Sequence, residues 1–223
     1  MIFEAPGTPM RRLLPLLALL FASPALAEAP DCAALKSTTN AFELTIDSTS
    51  VKPGKDPVAR QTRRQVDRKA GETVVYDIFS PDVFLRRKFT SNGFVTENFD
   101  TNEKVRRVAS YSVDTTRDYF GLGEPFDFNV VMKSEDGEVY SDVNTAVSFD
   151  GKIDIELGGC PYTLTRMRQA SHGTSNGKPL NNRSEVWYSP ELKSSLYSRT
   201  ENSDGSIFEL RARDISTSFT PVE

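Results

Sequence analysis

The chain predicts an all-β, mainly antiparallel fold: one strongly curved sheet, half-barrel or barrel-like, with little helix beyond a signal peptide. Apolar and polar residues alternate with a period of two in most segments after residue 41, as in half-buried strands. Turn residues recur at close spacing between these segments, the pattern of consecutive antiparallel strands. No amphipathic helical pattern extends beyond a few turns. A sheet without helices to cover it buries its apolar face by curling on itself.

The elements follow in order. Asp31 is placed to cap one helical turn over residues 32–36. Phe42, Leu44 and Ile46 face one way and Glu43, Thr45 and Asp47 the other, before a turn at Pro53-Gly54. Residues 58–69 form the most basic window, with Arg60, Arg63, Arg64, Arg68 and Lys69. They read as an extended edge strand or a short helix, with charges that guard against edge pairing rather than bind an anion. Val74, Tyr76 and Ile78 mark the next strand, and Ser80-Pro81-Asp82 turns the chain. Residues 83–89 and 94–99 form a hairpin around Ser91-Asn92-Gly93.

Val105, Ala109, Tyr111 and Val113 mark a longer strand, broken at Gly121-Leu122-Gly123-Glu124-Pro125. Phe126, Phe128, Val130 and Met132 alternate with Asp127, Asn129 and Lys133. Asp136-Gly137 and Asp150-Gly151 read as hairpin turns, the second the clearest in the chain because alternation flanks it on both sides. Tyr162 opens a further strand after Cys160-Pro161. Residues 171–184 are rich in Gly, Asn and Ser without periodicity and read as a long polar connection. Residues 185–188, 196–200 and the alternating Phe208, Leu210 and Ala212 complete the sheet, with a turn at Ser189-Pro190-Glu191-Leu192 and a hairpin at Asn202-Ser203-Asp204-Gly205. Residues 215–222 add a last short strand, for ten to twelve strands in all.

Met10-Arg11-Arg12, the apolar run of residues 13–22 and Ser23-Pro24-Ala25-Leu26-Ala27 have the charge, length and small-residue exit of a secretory signal peptide over residues 1–27. The run is about half the roughly 20 residues needed to span a bilayer, which weighs against a retained anchor. Residues 1–9 precede a second methionine, Met10, that could serve as the initiator. Ala29-Pro30-Asp31 lacks the small and apolar residues expected before a lipid-modified cysteine, so Cys32 does not read as a lipoprotein acceptor. Cleavage removes Glu4, Arg11 and Arg12 and leaves 196 residues, 28–223, with a formal charge of −5. That length suits a single domain. The mixed, mildly acidic charge disfavours a nucleic-acid partner, and no later segment is apolar enough for a transmembrane helix.

Export implies an oxidising compartment, the periplasm or a secreted setting, where Cys32 and Cys160 are expected to form a disulfide. Asn182-Arg183-Ser184 is a glycosylation sequon, relevant only to a eukaryotic secreted origin. One histidine, His172, excludes multi-histidine metal sites. It could act as base for Ser171 or Ser189, but no Gly-x-Ser-x-Gly elbow is present, and an exposed loop histidine is the simpler reading. Bridged cysteines leave no thiolate nucleophile. Asp154 and Glu156 share a face opposite Ile153, Ile155 and Leu157, as expected for the solvated side of a strand. Neither a metal site nor a cofactor is expected. Phenylalanines spread over many strands could line an apolar cavity, although ordinary core filling is the blander account.

Cys160-Pro161-Tyr162-Thr163-Leu164 and Glu185-Val186-Trp187-Tyr188-Ser189-Pro190-Glu191-Leu192 resemble uncharacterised β-rich periplasmic proteins of proteobacteria. In these a Cys-x-Tyr strand precedes a tyrosine-rich strand that ends in a Ser-Pro-x-Leu turn. The last third of the chain is also similar to the closing strands of the LolA/LppX-like half-barrel superfamily. The resemblance implies a curved antiparallel sheet that holds lipid or lipoprotein acyl chains on its concave face, a ligand-holding and non-enzymatic role. The helices that plug the half-barrel in that superfamily have no evident counterpart in the pattern here.

The expected function is an exported, non-enzymatic β-sheet protein that binds or carries an apolar, lipid-like or envelope-derived ligand. Phe126, Phe128, Trp187 and Tyr188 are its expected ligand-binding residues, with Trp187 and Tyr188 at the mouth. The alternatives are an envelope assembly factor that binds another protein through a sheet edge, and a hydrolase with an unrecognised site.

Overall fold

The computed structural model describes residues 31–37, 41–69, 72–80 and 82–222, so the expected signal peptide lies outside the described residues. Twelve antiparallel strands follow one another in chain order: β1 (Phe42–Val51), β2 (Val58–Lys69), β3 (Glu72–Ser80), β4 (Val83–Thr90), β5 (Val95–Asp100), β6 (Val105–Tyr111), β7 (Phe126–Ser134), β8 (Val139–Leu157), β9 (Cys160–Ser175), β10 (Lys178–Ser189), β11 (Ser194–Asn202) and β12 (Ile207–Ser216). Each pairs with the next, and β1 pairs with both β2 and β12, so the sheet closes into an up-and-down barrel. The helices among the described residues are short: α1 (Cys32–Lys36) and α2 (Tyr119–Leu122). Asp31 caps α1, its Oδ1 accepting from the Ala34 N–H at 3.0 Å.

Closure decides which side chains share the interior. Alternation along each strand and the register between strands put Phe42, Leu44 and Ile46 of β1 on one face with Arg64 and Val66 of β2. These apolar residues are among the most buried in the protein. The basic window is therefore neither helix nor edge: it is β2, held between β1 and β3. Two of its arginines are interior tethers. Arg68 donates to the Glu191 carbonyl at 2.9 Å and the Leu35 carbonyl at 3.1 Å, and Arg64 bonds Asp77 across to β3. The outward rows of β9–β12 carry Arg166, Arg168, Arg183, Arg199 and Arg211, unlike the apolar outer band of membrane barrels.

The expected hairpin at Asp150-Gly151 is not a turn. β8 continues unbroken through it, and Asp150 is the extra residue of a β-bulge between Phe149 and Gly151. Gly151 adopts φ 96°, which a bulge can require as readily as a tight turn. The turn itself comes later, at Gly158-Gly159, with Leu157 opposite Cys160. Beyond the bulge the β8–β9 ribbon bends and rolls over, as two-stranded ribbons do. Ile153, Ile155, Leu157, Leu164 and Tyr162 then pack with the core of Phe42, Leu44 and Ile215, while Asp154 and Glu156 stay exposed. The tip meets β12, where a Cβ on Gly158 would lie 2.7 Å from Ile215 Cγ2. The Cys32–Cys160 disulfide ties this tip to α1 across a sequence separation of 128.

The polar stretch 171–184 is not a loop either. It forms the far ends of β9 and β10, joined by a two-residue turn at Asn176-Gly177. Hydrogen bonding to β8 as far as Ser175 supplies the stability that apolar periodicity would otherwise signal. Hydroxyl pairs add to it: Thr145–Ser171 and Ser184–Thr200 each lie at 2.9 Å.

Two substitutions test this architecture. Replacing both cysteines with serine frees a chain segment of more than a hundred residues and is expected to cost about 2–5 kcal/mol in urea denaturation. Gly151→Val forces a branched residue into a left-handed backbone and is expected to cost about 1–3 kcal/mol by the same measurement. An unchanged midpoint would show that the bulge does not depend on that backbone conformation.

Candidate functional site

The barrel interior is divided between a charged wall and an aromatic cluster. Register puts Arg64 opposite Asp77 and Val75 opposite Arg87, so β2, β3 and β4 aim all three charges inward. Arg64 Nε donates to Asp77 Oδ1 at 2.6 Å, and Arg87 Nη2 donates to Asp77 Oδ2. Arg64 Nη1 also reaches the Ser195 carbonyl at 3.3 Å and its hydroxyl at 3.4 Å. Burial alone would raise the Asp77 carboxyl, but the Arg87 and Arg64 guanidiniums outweigh it and hold it down to about 2. Arg87 Nε is buried and has no hydrogen-bond partner among the described residues.

The aromatic side is assembled from distant segments. Phe126 and Phe128 of β7 stack with centroids 5.7 Å apart, and Phe126 lies 6.5 Å from Phe149 of β8. Phe94 meets Tyr111 at 5.0 Å and Phe128 at 5.9 Å. The connection between β6 and β7 folds inward and forms α2, which is capped by Asp118 Oδ1 accepting from the Gly121 N–H at 2.9 Å. This turn inserts Tyr119 against Phe126 at 4.5 Å and Phe120 between Phe126 at 5.7 Å and Tyr188 at 5.6 Å. Gly93, at φ 86°, makes room: a Cβ there would sit 3.3 Å from the Phe120 ring.

Between the two walls lies a cavity of about 160 Å³. Arg64, Arg87 and Lys193 line it together with the apolar Phe89, Phe120, Met167 and Tyr188, the Phe89 ring lying 5.7 Å from the Arg87 guanidinium. Burial away from water pushes the Tyr188 hydroxyl well above its usual range, and the Asp118 carboxylate adds to the shift. A larger groove crosses the outer face of β8–β11, but it is open, and several of its charges are already paired, as in Arg199–Glu201 at 2.5 Å and Arg168–Asp150 at 2.8 Å.

Of the four expected ligand-binding residues, three come together. Phe126, Phe128 and Tyr188 belong to the one aromatic cluster, linked through Phe120. Trp187 does not join them. It lies on the outward face, 4.5 Å from Tyr197, with Nε1 donating to Glu185 Oε1 at 2.8 Å. Adjacent strand residues point to opposite faces, so Trp187 and Tyr188 cannot share one mouth. Sequence reasoning missed the charged wall. The signal was present in the period-two row Arg64-Val66-Arg68, where an apolar residue sits between two arginines.

His172 sits on a strand rather than a loop, outward on β9 between Asn144 and Asn181. It lines an open groove with Asp127 and Ser112, but no hydrogen bond joins it to either among the described residues. The Ser112 hydroxyl is engaged, accepting from the Asn129 N–H at 2.8 Å. Neither expected serine partner can serve it. Ser171 points inward to Thr145, and Ser189 is fully buried, its hydroxyl accepting from the Leu192 N–H at 3.1 Å.

The charged wall makes stability depend on acid. The Asp77 carboxyl titrates lower in the fold than in the unfolded chain, so its contribution is complete above about pH 4 and is lost as pH falls toward 2. Its size is on the order of 2 kcal/mol. Urea denaturation at pH 2, 3, 4 and 6 is expected to show this loss in the native protein. Asp77→Asn should be less stable at pH 6 and should show a smaller fall between pH 4 and 2.

No family model matches the chain, and no curated protein matches it. Solved structures do, at low identity. The chain is similar to the hypothetical lipoprotein YmcC of Escherichia coli, with 10% identity, a TM-score of 0.42, and 80% of this chain and 87% of that one covered. It is also similar to a LolA superfamily protein of Nitrosomonas europaea, with 12% identity, a TM-score of 0.34, and 85% and 91% of the two chains covered.

Proposed function

We propose that this chain is an exported, non-enzymatic binding protein that holds an apolar or lipid-like ligand in the lumen of its barrel. One observation carries the reading: a four-residue helix inserts Phe120 as a wedge between the cavity and the Phe126–Phe128 cluster. Few backbone hydrogen bonds hold so short a turn, so its displacement costs little compared with opening the barrel. Withdrawal of Phe120 joins the cavity to the aromatic surface behind it. An acyl chain in that space gains about 0.8 kcal/mol per buried methylene. The Cys32–Cys160 bridge supports an oxidising compartment such as the periplasm. Among the described residues each strand of the ring pairs on both sides, and only the short β8–β9 ribbon beyond the bulge has free edges, which gives little support to edge-mediated protein binding.

The test is uptake of an apolar fluorescent probe, N-phenyl-1-naphthylamine, together with native mass spectrometry of protein purified from an envelope fraction without detergent. The expected results are saturable probe binding and a co-purifying lipid mass. Phe126→Ala should weaken probe binding about five- to tenfold, while Trp187→Ala, on the outward face, leaves it unchanged. Absence of both lipid and probe binding, or equal loss in the two variants, refutes lumen binding.

A further inference from the structure

We infer that the ligand carries an anionic head group, a carboxylate or a phosphate ester, seated at Arg87 and Lys193 with its chain directed past Phe120. The inference rests on the lumen-binding reading above and adds the chemistry of the ligand's other end.

Three cationic side chains line the cavity and one carboxylate answers them. Asp77 is shared between Arg64 and Arg87, so it balances one of those two charges and leaves the other. Lys193 makes no ion pair among the described residues. The next nearby carboxylate, Asp118, is committed to capping α2. Arg64 is held in place by Asp77 and Ser195, with its side chain only 8% exposed. Arg87 is held less closely: its Nη2 bonds Asp77, its side chain is 26% exposed, and its Nε has no hydrogen-bond partner among the described residues. Arg87 and Lys193 therefore leave positive charge at the cavity wall that a ligand group can answer. An oxyanion does so with charge-assisted hydrogen bonds.

The size of the space points the same way. About 160 Å³ is roughly five water volumes at ~30 Å³ each. That accommodates a head group and the first few methylenes, not a whole chain. The remaining length has an apolar route across Phe120 and Tyr188 toward Phe126 and Phe128. The cavity thus orients an amphiphile, charge against β2–β4 and tail against β7.

Calorimetric titration of the full protein with dodecanoate, dodecyl phosphate and dodecan-1-ol, each below its micellar concentration at pH 7.5, tests the inference. The anions are expected to bind about tenfold or more tightly than the alcohol, and the tighter of the two identifies the head group. Lys193→Asn removes the charge while suiting the left-handed backbone there, φ 51°. It should erase most of that preference without altering alcohol binding, as should Arg87→Gln. If Arg87→Gln does not fold, Lys193→Asn decides alone. Alcohol binding as tight as the anions, or equal losses for all three ligands in the variants, overturns the anionic head group but leaves lumen binding intact. Failure of all three ligands to bind overturns both.

Discussion

A twelve-strand meander has two edges to satisfy, β1 and β12, and here they satisfy each other by pairing. That closure fixes more than hydrogen bonds. Once the ring is complete, the register of each pair and the alternation of each strand decide which side chains are enclosed. A one-residue slip between β2 and β3 would turn Arg64 away from Asp77 and bring an outward-facing residue of β3 to its side. The charged wall, the aromatic cluster and the cavity between them are consequences of one closed register, although their residues are scattered from position 64 to position 195.

A closed ring still has open ends, and two inserted elements at one of them are held differently. At one end the β8–β9 ribbon bends at the Asp150 bulge, rolls over and packs Leu157, Tyr162 and Leu164 into the main core. The disulfide to α1 holds that lid in place. The same end also carries α2, between β6 and β7, a single turn kept in position by its Asp118 cap and by aromatic contacts. One closure is covalent and deeply packed; the other is short and held by side chains. Local opening follows the weaker element, so the turn that carries Phe120 opens before the ribbon does.

Much of the fold was legible because period-two alternation is a direct image of a half-buried strand. It identified β1, β3, β7 and β12 and the barrel-like curvature that a helix-poor sheet must adopt. The oxidising setting and the pair of cysteines foretold the bridge. The errors have physical causes. Asp150-Gly151 has turn chemistry, but positive φ serves a bulge as well as a hairpin, and only the partner strand distinguishes them. Residues 171–184 lack apolar periodicity because backbone pairing to β8 and hydroxyl pairs stabilise them instead. Phe126, Phe128 and Tyr188 were found as aromatic strand residues; Trp187 was grouped with Tyr188 by chain proximity, which alternation contradicts. Arg64, Asp77, Arg87 and Lys193 come from four segments, and nothing in a linear pattern brings them together.

The charged wall also bears on why the lumen is not simply filled. A buried ion network contributes little net stability, because desolvation of each charge offsets most of the attraction, and well-packed apolar residues of similar volume commonly do as well or better. Val66 and Val75 show that apolar residues fit this face, since both lie in the same inward rows as the charges and are almost wholly buried. A barrel selected for stability alone would extend that apolar packing across β2–β4. Instead two arginines and a lysine border a cavity, and the Arg87 Nε has no hydrogen-bond partner among the described residues. Packing gains nothing from that arrangement, whereas recognition of a charged group requires it: donors fixed in advance, partly desolvated, and balanced by a single carboxylate that holds them in place without saturating them.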